Sequence, residues 1–154
     1  MKSTTVRSLL LVTAATLLTA SAATADGPLQ FYSVAPCRVV DTRNPIGPTG
    51  GPALAPFQIR NFPMRGQCGI DSAAVAVSLN VTVVTPTSTG YLTLWPSGTL
   101  RPEVSTINFV ASDVLANGAI VPLAAAMSAN EVAVFNGSSG TTHLILDVTG
   151  YFKP

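Results

Sequence analysis

One alternating segment, residues 75–84, constrains the fold of this chain more than any other. Valine or leucine occupies every second position, and Ala76, Ser78, Asn80 and Thr82 stand between them. A period of two is typical of a β-strand that buries one face and exposes a more polar one. We therefore expect a strand here, in a fold that covers one face of a sheet.

Other short apolar segments are bounded by Pro, Gly, Asn or Asp, which favour turns. The segments predict further strands at residues 31–35, 38–42, 57–62, 91–95, 104–109, 119–123, 131–135 and 142–148. The five-residue loops at 86–90 and 136–140 predict two β-hairpins, 75–84 with 91–95 and 131–135 with 142–148. With about eight or nine strands and no convincing helix, we expect an all-β, antiparallel β-sandwich of Greek-key or jelly-roll type.

The N-terminus has the pattern of a secretory signal peptide. Lys2 and Arg7 precede an apolar run at 9–18, and small residues follow it. We expect residues 1–25 to be removed after Ala25, with Ala22 as a second candidate site. The run is shorter than the roughly 20 residues of a spanning helix, so the remaining domain, residues 26–154, is not expected to span a membrane. The expected location is extracellular or periplasmic.

The charge balance predicts no nucleic-acid partner. The chain has eight basic and seven acidic residues, and loss of Lys2 and Arg7 leaves six basic against seven acidic. No basic surface of the kind that binds phosphate backbones is expected from this balance.

The chain contains two cysteines, Cys37 and Cys68. A cysteine pair in an exported protein normally forms a disulfide, and we expect one here. Their spacing matches no zinc pattern, and the single histidine, His143, does not complete a site. We therefore expect no metal and no cofactor.

No catalytic motif is recognisable, and we expect the protein not to be an enzyme. The Gly-x-Ser-x-Gly elbow of serine hydrolases is absent from the sequence. On one strand, His143 and Asp147 would lie roughly 13 Å apart, which is too far for a catalytic hydrogen bond. A small extracellular hydrolase remains the alternative if carboxylates meet in the fold. The acidic residues concerned are Asp41, Asp71, Glu103, Asp113, Glu131 and Asp147.

A candidate ligand-binding surface lies in the segment 91–95. Tyr91, Thr93 and Trp95 project from one side of a strand, opposite Leu92 and Leu94. Aromatic rings beside hydroxyl groups suit the C–H faces and hydroxyls of sugars. In the alternative interpretation, Tyr91 and Trp95 pack under a neighbouring loop or strand.

Several segments resemble a group of bacterial exported modules, known as stand-alone surface proteins or as appendages of cell-wall hydrolases. They are APCR at 35–38, VDTR at 40–43, VSLNVTV at 77–83, GYLTLWP at 90–96, STINF at 105–109 and LDVTGYF at 146–152. The resemblance covers nearly all of residues 26–154. It implies an extracellular β-sandwich without catalytic residues of its own.

These observations predict a secreted or surface-associated, non-enzymatic protein that acts in adhesion, matrix contact or carbohydrate binding at the cell wall. The expected partner is a glycan, a cell-wall polymer or another surface protein. A third hypothesis is a self-assembling structural subunit in which edge strands pair between copies to give a homo-oligomer.

Overall fold

The computed structural model describes residues 27–125 and 128–154, so the predicted signal peptide lies outside the described residues. Within them the chain forms eight strands and no helix long and apolar enough to cross a membrane. The strands are β1 Gln30–Asp41, β2 Ile59–Phe62, β3 Ala76–Val84, β4 Gly90–Pro96, β5 Ile107–Phe109, β6 Val114–Pro122, β7 Val132–Asn136 and β8 His143–Lys153.

The strands form two antiparallel four-stranded sheets. Sheet A has the order β1-β8-β3-β6, and sheet B has the order β2-β7-β4-β5. The predicted all-β, antiparallel β-sandwich is therefore confirmed.

The alternation in β3 places its apolar row in the core. Val77, Val81 and Val83 are fully buried, whereas Ser78 and Thr82 are only partly covered on the outer face. Fully burying one such aliphatic side chain stabilises the fold by roughly 1.5–3 kcal/mol. Other strands add fully buried side chains of the same kind, including Phe62, Leu92, Val132, Val134, Leu144 and Leu146.

Both predicted hairpins are wrong, because each loop crosses from one sheet to the other. β3 lies in sheet A and β4 in sheet B, and β7 and β8 are divided in the same way. Val81 of β3 and Leu92 of β4 are both fully buried in the one core between the sheets, and two packed sheets bury such apolar rows better than an isolated two-stranded ribbon could. The turn residues allow either path, so the loop sequence alone does not distinguish them.

The two crossing loops lie side by side. The backbone N of Thr87 donates to the carbonyl of Thr141 at 2.9 Å, and the hydroxyls of Ser88 and Ser139 are 3.0 Å apart. Strands joined by these loops also pair within their sheets, β3 with β8 and β4 with β7. The loops therefore close one end of the sandwich together.

Strand β6 begins earlier than predicted. The expected strand at 119–123 is the second part of Val114–Pro122, and Asn117 and Gly118 lie inside it. β3 pairs with it residue for residue, from Val84 opposite Val114 to Ala76 opposite Pro122. This continuous ladder overrides the local preference of Asn-Gly for a turn.

The predicted disulfide between Cys37 and Cys68 is confirmed, with Cα atoms 5.8 Å apart. Cys37 is in β1 of sheet A, and Cys68 is in the loop that follows β2 of sheet B. The bond therefore ties the first edge of sheet A to the connection between the two sheets.

Candidate functional site

The loop of residues 97–106 covers the outer face of β4. The indole Nε1 of Trp95 donates to the carbonyl of Thr99 at 3.2 Å, and the hydroxyl of Thr93 donates to the carbonyl of Val104 at 2.6 Å. Thr93 is fully buried, and Trp95 is only 5% exposed. The loop is thus fixed to the strand through two buried side chains.

A groove of about 420 Å³ opens where this loop meets the beginning of β4. Its walls combine one aromatic ring with charged and polar groups: Tyr91, Arg101, Glu103, Val104, Ser105 and Asn108. Tyr91 is partly exposed, whereas Arg101, Glu103, Ser105 and Asn108 are exposed. The groove therefore presents a tyrosine ring to solvent between hydrogen-bonding side chains.

Neighbouring residues fix the orientation of the Tyr91 ring. The ring meets Phe135 edge-on, with centroids 6.0 Å apart. It also lies directly over Gly137, where an added Cβ would be 2.4 Å from a ring carbon. The Arg101 guanidinium stacks on Phe135 at 4.2 Å from the ring centroid. Because these contacts hold the ring in one position, Tyr91 loses little conformational entropy when a ligand binds.

The predicted site residues Tyr91, Thr93 and Trp95 share one face of β4, but they differ in their exposure to solvent. Only Tyr91 lines the groove, and Thr93 and Trp95 support the loop from beneath. Trp95 matches the alternative interpretation, in which an aromatic residue packs under a neighbouring loop. Ligand binding on this strand remains a prediction, and the geometry restricts direct contact to Tyr91.

The sequence prediction did not include the groove residues contributed by the loop and by β5. Their signal is present in the composition, because Arg101 and Glu103 are the only charged residues between Asp71 and Asp113. Ser105 and Asn108 have no comparable signal.

A second polar cluster lies on β1 and β8. Arg38 binds Asp147, with Nε 2.8 Å from Oδ1, and its Nη1 is 3.5 Å from a carboxylate oxygen of Asp41. Arg43 also donates to Asp41 through Nε at 2.8 Å and Nη2 at 2.7 Å. These hydrogen bonds lower the pKa of Asp41 to about 2, although burial acts in the opposite direction. Asp41 is therefore ionised near neutral pH and does not supply the protonated acid that glycoside hydrolysis requires.

The remaining acidic residues have different surroundings. Lys153 binds Asp71 at 2.7 Å, and the backbone N of Val110 donates to Asp113 at 3.0 Å. Glu131 is buried, and it accepts a hydrogen bond from the backbone N of Met64 at 2.6 Å. Within the described part of the chain, Glu103 has no ion-pair partner and faces the groove.

His143 contacts a threonine in this structure. His143 is the first residue of β8, and its Nδ1 lies 3.2 Å from the hydroxyl of Thr42. Among residues 27–125 and 128–154, no group of three or more His, Cys, Asp or Glu side chains is arranged to hold a metal ion.

Comparison of this chain with protein-family models, with curated proteins and with solved structures finds no match. The functional argument therefore depends on the groove itself and on the surfaces around it.

Proposed function

We propose that this is a secreted or surface-associated, non-enzymatic protein that binds a glycan of the cell wall or matrix in the groove around Tyr91. One observation carries the proposal: a partly exposed tyrosine ring, held in one orientation, is bordered by side chains that can bind hydroxyl groups. Sugars offer an apolar C–H face and several hydroxyls, and this arrangement matches both.

The size and charge of the groove favour a neutral sugar. Its volume of about 420 Å³ lies in the range of roughly 300–1,000 Å³ that is usual for small-molecule sites. Arg101 and Glu103 carry opposite charges, so neither anions nor cations are strongly preferred. The amide of Asn108 and the hydroxyl of Ser105 add donors and acceptors without net charge.

Export is part of the same proposal. The Cys37–Cys68 disulfide supports an oxidising compartment, and the N-terminal signal pattern supports secretion. Glycans of the cell wall and of the extracellular matrix are polymers that a protein in this location encounters.

The first prediction tests the role of the Tyr91 ring. The protein purified from the secreted fraction should bind at least one polymer in a panel of immobilised glycans and purified peptidoglycan. Tyr91→Leu should weaken this binding about tenfold, which corresponds to about 1.4 kcal/mol, because an aliphatic side chain offers no flat stacking surface. Tyr91→Phe should retain most of the affinity, because the ring remains.

Tyr32→Leu is the matched control, since Tyr32 is a partly exposed tyrosine on sheet A that stacks on Tyr151 at 5.4 Å. Its binding should equal that of the wild type. The proposal fails if the wild-type chain binds no polymer in the panel, or if Tyr91→Leu binds as well as the wild type. Trp95 is unsuitable for this test, because its removal would disturb the loop that forms the groove.

A further inference from the structure

The two edges of sheet A differ in their protection against pairing with another strand. β1 contains Pro36, which has no N–H to donate, and the charged side chain of Arg38. Its register shifts twice, between Ser33 and Cys37 and between Arg38 and Val40. Proline, charge and bulges are the features by which natural edge strands resist further pairing.

The opposite edge strand, β6, lacks these features along its length. Val114–Pro122 contains no charged residue, and its pairing with β3 has no register shift. Proline occurs only at its last position. In the described residues β6 has a strand neighbour on one side only, and Val114 and Ile120 are 69% and 65% exposed. A long, regular and apolar edge of this kind is a template for another strand.

Gly118 is a second, independent observation on this strand. Glycine inside a strand reduces its stability, and it commonly marks a bulge or a close approach of another backbone. Here the ladder is continuous, the φ of Gly118 is not positive, and an added Cβ would meet no atom of the described residues within 4 Å. The contacts among residues 27–125 and 128–154 therefore give no reason for glycine at this position.

We propose that β6 is a self-association edge, on which a second copy of this chain pairs antiparallel across a two-fold axis at Gly118. The two sheets A then form one continuous sheet. Gly118 is the central residue of Val114–Pro122, so this register pairs the whole strand. Each Ala116 lies opposite Ile120 of the second copy, and Gly118 lies opposite itself.

The composition of β6 favours a second copy over a charged partner. In this two-fold contact residue 118 faces its own copy, so a charge there would face a like charge, and a charge elsewhere on β6 would need an opposite charge at the residue it pairs with. β6 carries none, and its facing side chains are small or aliphatic. The edge is also preformed, because the Asn117 side chain donates to the carbonyl of Thr106 at 2.8 Å and ties β6 to the chain segment before β5.

The second prediction tests this contact by sedimentation equilibrium of the protein purified from the secreted fraction, over about a hundredfold range of concentration. The wild type should dimerise as concentration increases. In Ala116→Lys/Ile120→Lys, lysine faces lysine at both pairs, and the dissociation constant should increase at least tenfold, about 1.4 kcal/mol. In Ala116→Glu/Ile120→Lys, glutamate faces lysine at both pairs, and dimerisation should return. Both positions are exposed, so melting temperatures at low concentration should stay close to the wild-type value.

A cross-linking experiment tests the register. The two native cysteines are joined in a disulfide, so Gly118→Cys introduces the only free thiol. Opposite residues of an antiparallel pair have Cα atoms about 4.5–5.5 Å apart, which is within the range of a disulfide. Mild oxidation should therefore give a covalent dimer. Thr149→Cys, an exposed position on the interior strand β8, should give no covalent dimer.

A wild-type chain that stays monomeric at the highest concentration would overturn the proposal. Equal cross-linking of the two cysteine variants would overturn it as well. The result is independent of the groove, because Tyr91→Leu should sediment like the wild type whatever its effect on glycan binding.

Discussion

The ionisation of Asp41 is coupled to the folded state. It is buried at the end of β1 and accepts hydrogen bonds from the side chain and the backbone N of Arg43. Its pKa falls from 3.8 to about 2, chiefly because of the Arg43 side chain. A carboxyl group with a lower pKa in the folded state stabilises the fold when it is ionised.

The third prediction concerns the effect of pH on this residue. The contribution of Asp41 is complete above the ordinary pKa of 3.8 and is lost as the pH falls through that value toward 2. Asp41→Asn should lower the free energy of unfolding by about 2 kcal/mol near neutral pH. At about pH 2 the substitution should change this free energy much less. Urea unfolding at the two pH values measures the difference.

Glu103→Gln is the control for this measurement, because Glu103 is exposed and has no ion-pair partner in the described part of the chain. Its free energy of unfolding should stay within about 0.5 kcal/mol of the wild type. If Asp41→Asn had the stability of the wild type at both pH values, the ion pairs would contribute nothing to folding.

At the scale of elements, the two loops that cross between the sheets depend on close contact with each other. An added Cβ at Gly140 would lie 2.4 Å from the hydroxyl of Thr87 and 2.7 Å from the backbone N of Ser88. The second of these atoms is backbone and cannot rotate away. The loops, and the strands that they join, must then separate to accept a larger residue.

The fourth prediction compares two glycines on this basis. Gly140→Ala should lower the free energy of unfolding by about 1–3 kcal/mol, the usual cost of overpacking. Gly118→Ala, where the added methyl group meets no atom of the described part of the chain within 4 Å, should leave the free energy of unfolding unchanged or raise it slightly. Thermal unfolding at low protein concentration, where the proposed dimer is dissociated, makes the comparison. Equal effects of both substitutions would show that the loops do not need this contact.

For the whole molecule, the disulfide limits the freedom of the unfolded chain. Cys37 and Cys68 are 31 residues apart and join β1 to the segment that leads from β2 to β3. Closing a loop of this length lowers the entropy of the unfolded chain, and the chain-entropy model gives roughly 3–4 kcal/mol of stabilisation. This is a large part of the stability of a small domain.

The fifth prediction is that Cys37→Ala/Cys68→Ala lowers the free energy of unfolding by about 3 kcal/mol. Urea unfolding at neutral pH measures the change, and the wild type unfolded in the presence of a reductant should behave like the variant. An unchanged unfolding midpoint would show that the sandwich is held together by its core alone.

Much of the fold could be predicted from the sequence, because it depends on residues that are close together along the chain. Alternation in β3 follows from the geometry of a strand, in which successive side chains point to opposite faces. The disulfide could be predicted because two cysteines leave only one intramolecular pairing. The partners of the strands on either side of each five-residue loop could not be predicted in this way. A loop of this length can join two strands of one sheet or cross from one sheet to the other.

The sequence by itself determined the strand periodicity, the all-β class, the disulfide and the shared face of Tyr91, Thr93 and Trp95. Only the tertiary structure decided which strands pair, how the loop at 97–106 buries Trp95 and leaves Tyr91 in a groove, and which edge of sheet A is unprotected. The physical reason is the sequence separation of the interacting residues. Side-chain alternation is set by neighbours along the chain, whereas burial and strand pairing are set by contacts between segments far apart in sequence.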